Sequence, residues 1–148
     1  MAHVAIFVGS MYGNAEGLAE KIRSVLVAAG HEANVYSSAT LADLTTASTA
    51  LFVSSTTGQG DIPDNLQPLF LQMQSQFPMM TGKLCGVIAL GDSSYGDTYC
   101  GAGRQIDTLL QELNATLPVK RLDVDACEYF EPWEAAETWV ADWITHLE

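Results

Sequence analysis

Three short, mostly apolar runs punctuate the chain, Val4 to Val8, Ala50 to Ser54 and Leu84 to Leu90, and a polar, glycine-containing stretch follows each of them. Runs of this length, rich in Val, Ile, Leu and Phe, are the pattern of strands buried on both faces. Between them the period changes. Beyond Gly13 the apolar positions Leu18, Ile22, Val25, Leu26 and Ala29 recur at helical spacing, with Gly30 placed to end the helix as its C-cap. A further strand is expected over Ala33 to Tyr36. The Ser-, Thr- and Asp-rich stretch from Ser37 to Ser48 then offers only Leu41 to Leu44 as a helical turn. A helix is predicted near Leu66 to Gln76, with Pro63 and Pro68 where a first turn tolerates proline. Arg104 to Leu113 reads as another helix, and Val119 to Val124 as a strand with alternating apolar residues. A last helix opens near Pro132 and carries Trp133, Ala136, Val140, Trp143, Ile144 and Leu147 on one stripe.

Strands that alternate with helices imply an α/β fold with a parallel sheet, because right-handed crossovers lay each helix against the sheet. The expected architecture is a doubly wound five-stranded parallel sheet of order 2-1-3-4-5, with helices on both faces. Such sheets bind ligands outside the carboxyl ends of their strands, where the order reverses, here between strands 1 and 3. With 148 residues and no internal repeat, low-complexity tract or linker, one domain over residues 1–148 is expected.

Three loops, residues 9–15, 54–61 and 90–101, would converge at that edge. In the first, GSMYGNA, Gly9 and Gly13 allow a tight turn that aims the N–H groups from Met11 to Ala15 inward at a helix N-terminus. Such a nest binds a phosphate dianion through peptide dipoles, helped here by the Ser10 hydroxyl and the Asn14 amide. A nucleotide-binding P-loop would add a lysine, yet the first Lys or Arg is Lys21, well inside the helix. A phosphate held this way keeps its charge, and negative surroundings oppose the addition of electrons to a bound group. A lone glycine turn can equally do no more than join strand to helix; the convergence of three polar loops is what points to a ligand.

Charge narrows the partners. A net charge of −12, from 18 acids against 6 bases, opposes nucleic acid and anionic lipid, whose phosphates would be repelled. Four acids, Asp61, Asp64, Asp92 and Asp97, lie in or beside the loops, which favours a basic protein partner over charge that serves solubility alone. Cys85, Cys100 and Cys127 are odd in number and lack C-x-x-C spacing, so neither a disulfide framework nor a metal site is expected, and a reducing cytoplasm fits. No basic n-region or long apolar run signals export or a membrane span. A cytoplasmic, unprocessed monomer is expected.

Tyr95 sits in a polar, glycine-flanked loop, a poor place for a core aromatic, which favours stacking on a flat ligand. The helical spacing of Trp133 and Trp143 reads instead as packing against the sheet. Cys100 has no basic neighbour in sequence to lower its pKa, so it reads as a buried or edge thiol. His3, His31 and His146 have no partners at metal spacing. A phospho-accepting receiver domain of the same fold would need carboxylates after strand 1, and none occur from Gly9 to Asn14. A dinucleotide-binding Rossmann enzyme would need G-x-G-x-x-G there, which is missing.

The residues S-x-x-G-N-A at 10–15, STTG at 55–58 and GDSSY at 91–95 resemble, in order and spacing, the FMN-binding loops of flavodoxins and of the FMN domains of diflavin reductases. The resemblance spans the whole chain, whose length looks like that of a short-chain flavodoxin of the MioC/YqcA type. It implies a flavodoxin-like fold and noncovalently bound FMN. Carried over position by position, Ser10, Met11, Tyr12, Gly13, Asn14 and Ala15 would hold the phosphate, with Ser55 and Thr56 nearby. Tyr95 would stack on the outer face of the isoalloxazine, and Leu90, Gly91, Asp92, Tyr99 and Cys100 would edge the ring. Gly58 matches the glycine whose carbonyl, in the family, swings to accept a hydrogen bond from the protonated N5 of one-electron-reduced flavin. At that scale a tenfold preference for one redox state moves a one-electron potential by about 59 mV.

Three positions depart from the family pattern. Tyr12 stands where threonine is usual, Thr57 where many flavodoxins stack an inner tryptophan, and the stretch from Tyr95 to Cys100 is one residue longer than the usual Y-x-x-F-C. The function implied is a low-potential carrier that shuttles single electrons from a basic-surfaced flavodoxin reductase to acceptor enzymes, with no catalytic residues of its own. The alternative is a two-electron, FMN-dependent reductase of quinones or metals.

Overall fold

The computed structural model describes residues 2–10, 13–56, 60–92, 96, 99–129 and 131–147. Its strands β1 (His3–Gly9), β2 (Glu32–Tyr36), β3 (Thr49–Ser54), β4 (Leu84–Gly91) and β5 (Leu122–Asp125) form one sheet of order β2-β1-β3-β4-β5. Every pairing is parallel, with Val8 opposite Val53 and Val53 opposite Ile88 along the middle. The helices are α1 (Asn14–Ala28), α2 (Leu41–Thr46), α3 (Gln67–Gln76), α4 (Gly101–Glu112) and α5 (Pro132–Ile144).

The continuous apolar runs divide by parity between two cores, because successive strand side chains point to opposite faces. Val4, Ile6 and Val8 of β1 pack with Leu51 and Val53 of β3 against α1 and α5. Ala5 and Phe7 pack with Ala50 and Phe52 against α2, α3 and α4. Phe7 lies between Tyr36 and Phe52, with ring centroids 5.6 and 5.1 Å away. Burying one such side chain contributes roughly 1.5–3 kcal/mol, so two filled faces explain why the middles of β1, β3 and β4 lack the polar residues that the edge strands β2 and β5 carry. Lys83, just before β4, donates from Nζ to the carbonyls of Leu44 (2.8 Å) and Ala47 (2.6 Å), tying the end of α2 to the start of that strand.

Several boundaries differ from those expected. The helical turn at Leu41 to Leu44 extends to Thr46, because Thr40 and Asp43 form a reciprocal capping box that starts it firmly. Ala29, not Gly30, caps α1; Gly30 follows at φ +93°, while Gly30 N–H returns to Val27 O and His31 N–H to Leu26 O, both at 3.0 Å. Pro63 lies ahead of α3, in a turn whose carbonyl accepts the N–H groups of Leu66 and Gln67; Pro68 is in the first turn as expected.

The helix α4 begins at Gly101, three residues before Arg104. Its first residues look like loop in sequence but are small for packing: a Cβ on Gly103 would collide with that of Ala89, and one on Gly101 would fall 2.7 Å from the Cα of Gly60. The fifth strand is shorter than expected. Thr116 bridges to Leu84, the chain then leaves the sheet through Pro118, which has no N–H to give, and pairing resumes only at Leu122 opposite Ile88. Trp139 Nε1 holds that detour by donating to Lys120 O at 2.7 Å.

Trp139 and Trp143 of α5 are core residues, and Trp133 packs against them partly buried, so the spacing of Trp133 and Trp143 does mark the face turned to the sheet. Trp143 is fully buried and donates from Nε1 to Cys85 O at 3.2 Å, and its ring stacks on Trp139 at 5.9 Å. Gly86 makes the room. A Cβ there would lie 2.7 Å from Trp143 Nε1, 2.8 Å from the Trp139 ring and 3.0 Å from a Leu51 methyl. Both indoles and Leu51 are closely packed, so Gly86→Ala is expected to destabilise the fold by about 1–3 kcal/mol. In urea unfolding the midpoint should fall with the slope unchanged; a midpoint equal to wild type would show the indoles yield freely.

Candidate functional site

The carboxyl ends of β1, β3 and β4 lie side by side, with Gly9 paired to Ser54 and Ser54 to Ala89, so the three polar loops leave the sheet from one edge. At the first, Ser10 N–H donates to Asn65 Oδ1 (3.0 Å) and Ser10 Oγ accepts the N–H of Gly13 (2.7 Å). Gly13 then enters α1 at φ +88°, a left-handed conformation that a Cβ would oppose. Among the described residues no side chain caps this helix, and its first intrahelical acceptance is Gly17 N–H on Gly13 O (3.0 Å). The N–H groups of Asn14, Ala15 and Glu16 therefore face the site without a partner in their own helix. Residues 9–20 contain no Lys or Arg. The nearest bases along α1 are engaged elsewhere: Lys21 Nζ lies 5.7 Å from the Trp133 ring, and Arg23 pairs with Glu20 at 3.1 Å.

The second loop is held at both ends. Ser55 N–H donates to Gly9 O at 2.8 Å, bringing it beside the first loop as expected, and Ser54 Oγ donates to Ser55 O at 2.8 Å. Thr56 Oγ1 accepts the N–H of Ala102 at 3.4 Å, which turns this hydroxyl toward the start of α4. At the far end, Gly60 is buried at φ +91° and its carbonyl accepts Gln105 Nε2 at 2.7 Å. A backbone bend and a side chain thus fix the loop to α4.

In the third loop Leu90 is buried, while Gly91 and Asp92 are partly exposed. Gly91 O accepts Ala126 N–H at 2.8 Å, and a Cβ on Gly91 would meet Cys100 N at 2.8 Å and the Tyr99 ring at 3.2 Å. Cys100 precedes α4 at φ +53° and is fully buried, its Sγ donating to Ala89 O at 3.6 Å. Arg121 and Arg104 come within electrostatic reach of that thiol, which sequence neighbours did not reveal, yet burial outweighs them and pushes it up to about 11. Burial, and then the adjacent Cys100, likewise hold the Tyr99 phenol above its ordinary range. Cys127 donates from Sγ to Asp92 Oδ1 at 3.0 Å and from N–H to Asp125 Oδ1 at 2.9 Å, joining the loops after β4 and β5.

The structure thus brings together Ser10, Gly13, Asn14 and Ala15 with Ser55 and Thr56, and sets Leu90, Gly91, Asp92, Tyr99 and Cys100 along the neighbouring strand end. Met11, Tyr12, Thr57, Gly58 and Tyr95 lie outside the described residues. Two residues at the site escaped the sequence analysis. Asn65 and Gln105 are polar residues at the edges of predicted helices, and their spacing carries no motif; the Asp-Asn pair after Pro63 reads only as a turn.

Comparison with known proteins agrees with this geometry. Residues 6–139 match the flavodoxin family profile. Flavodoxin YqcA of Escherichia coli K12 is 43% identical over 149 residues, covering 99% of both chains. A cysteine mutant of flavodoxin from Pseudomonas aeruginosa superimposes with a TM-score of 0.89 at 44% identity, over 95% of both chains. Oxidised flavodoxin 1 of Bacillus cereus gives a TM-score of 0.87 at 27% identity, over 99% of this chain and 100% of the other. A shared sheet order, a cation-free first loop at its switch point and similarity along almost the full length leave one conclusion: the chain belongs to the flavodoxin family, an FMN-binding family of electron carriers.

Proposed function

We propose that this carrier seats the FMN phosphate on the first turn of α1 and the ring between the loops after β3 and β4. The observation that carries the proposal is the α1 N-terminus, uncapped by any side chain and opened by Gly13 at the switch between β1 and β3. A phosphate monoester suits that donor set, since its acceptor oxygens match peptide N–H groups and its charge matches the positive end of the helix. Asn14 and Ala15 give their N–H groups there, and the Ser10 hydroxyl and Asn14 side-chain amide add further donors, with Ser55 and Thr56 adjoining. For Met11, Tyr12, Thr57, Gly58 and Tyr95 the support is the motif match alone. Bound FMN supplies the redox chemistry.

The chain's own task is to hold the ring and shield it. Leu90 gives an apolar edge, Gly91 lets Tyr99 and the Cys100 backbone close in, and Asp92 adds negative charge beside them. The buried, high-pKa thiol of Cys100 supports a packing role and not one in thiol exchange. With an odd number of cysteines and no C-x-x-C spacing, a reducing cytoplasm is the favoured setting. One domain carries the whole function, and a monomer leaves the ring edge open to partners.

Asp61 and Asp64 are exposed and Asp92 is partly so, on a chain of net charge −12; Asp97 lies outside the described residues. Their field favours a basic-surfaced flavodoxin reductase and basic acceptor enzymes, with fast, weak encounters. Electron transfer from such a reductase should slow by about tenfold between low and high salt, and Asp61→Asn with Asp64→Asn should flatten that dependence. Stopped-flow rates at several ionic strengths check this, and salt-independent rates would discard the basic partner.

The purified protein should bind one FMN per chain and show a flavin spectrum. On titration with dithionite, a broad long-wavelength absorption should rise and then fall as the first and second electrons enter. Bleaching in a single phase, without that band, would favour the two-electron reductase, and a protein that stays colourless with added FMN would reject both.

A further inference from the structure

Asn65 stands in the turn between the second loop and α3, and all three strong hydrogen bonds of its carboxamide go to the backbone of other segments. Oδ1 accepts the N–H of Ser10 at 3.0 Å, while Nδ2 donates to Val8 O at 2.8 Å and to Ser37 O at 2.9 Å. One partly buried side chain thereby joins the last turn of β1, the exit from β2 and the entry to the first loop, at the place where the strand order reverses. The partners also fix the carboxamide's orientation, since exchanging its oxygen and nitrogen would set donor against donor and acceptor against acceptors.

We infer that Asn65 is the positioning residue of the phosphate loop, setting affinity for the monoester while leaving affinity for the ring untouched. It turns the Ser10 N–H away from the ligand and fixes the Ser10 backbone. The Ser10 hydroxyl, which accepts Gly13 N–H at 2.7 Å, then sets the angle at which α1 begins. A relay from Asn65 through Ser10 to Gly13 thus holds the N–H groups of Asn14 to Glu16 in place before the ligand arrives. Preorganised donors of this kind lose little freedom on binding, and removing the side chain that fixes them weakens only what those donors hold. The inference rests on the FMN assignment above.

FMN and riboflavin, which differ in the phosphate alone, separate positioning from general stability. In equilibrium fluorescence titrations Asn65→Ala should bind FMN about tenfold more weakly than wild type, the scale of one well-made hydrogen bond, with riboflavin affinity changed less than about twofold. Asn65→Asp keeps an acceptor for Ser10 N–H but loses both donors and adds charge, so its loss of FMN should be larger and should shrink with salt. Equal losses for the two ligands, or none for either, would overturn the inference and leave the FMN assignment standing. A wild-type chain that binds no FMN would overturn both. Should the variants not fold, amide exchange on the wild-type protein decides: Ser10 N–H protected without ligand supports the relay, and exchange at the rate of a free loop amide refutes it.

Discussion

Helix starts leave N–H groups with no acceptor in their own helix, and most helices cover them with a side chain. In α1 that cover is missing, and the residues around the turn bring no Lys or Arg. Water can satisfy these donors, but the position of the turn gives them another use. It lies at the carboxyl edge of a parallel sheet, between β1 and β3, where crossovers run to opposite faces and leave a crevice. The helix dipole adds partial positive charge without a proton or counterion to titrate. A phosphate gripped there retains its full negative charge close to whatever ring it carries.

Much of the surrounding structure reduces the freedom of that edge. The two cores fix β1 and β3 from both faces, so the strand ends that launch the loops have little room to shift. Asn65 ties the first loop to β1 and β2, Ser55 ties the second to Gly9, and Gln105 ties Gly60 to α4. The small residues at the start of α4 serve the same end, because close contact of Gly101 with Gly60 brings that helix directly under the second loop. Rigid placement matters for a carrier, whose bound group should change charge without the protein having to rearrange widely.

The sequence made the central sheet plain because strands buried on both faces leave unbroken apolar runs, and β1, β3 and β4 each show one. Alternation and handedness gave a parallel sheet with helices on both faces, and its order followed from the rule for doubly wound folds of five strands. The start of α4 was obscured because Gly101 and Gly103 look like turn residues until their neighbours Gly60 and Ala89 are in place. The shortened β5 depends on a detour held by Trp139, 19 residues away. At the site, Ser10, Gly13 and the residues after them were legible as a pattern with a mechanism. Asn65 was not, since its partners are backbone atoms 28 to 57 residues distant, and such a bond leaves no local spacing to read. The capping box at Thr40 and Asp43 is different: its residues stand three apart and could have been recognised.

A phosphate grip built on peptide amides, with no side-chain cation, is most directly tested by amide NMR of the 15N-labelled protein, titrated with FMN. The N–H signals of Asn14, Ala15 and Glu16 should move downfield, as strong hydrogen bonds to a phosphate require, while the side-chain signals of Arg104 and of the lysines stay where they are. Unmoved signals at those three positions, together with a large shift of a guanidinium or ammonium group, would contradict it.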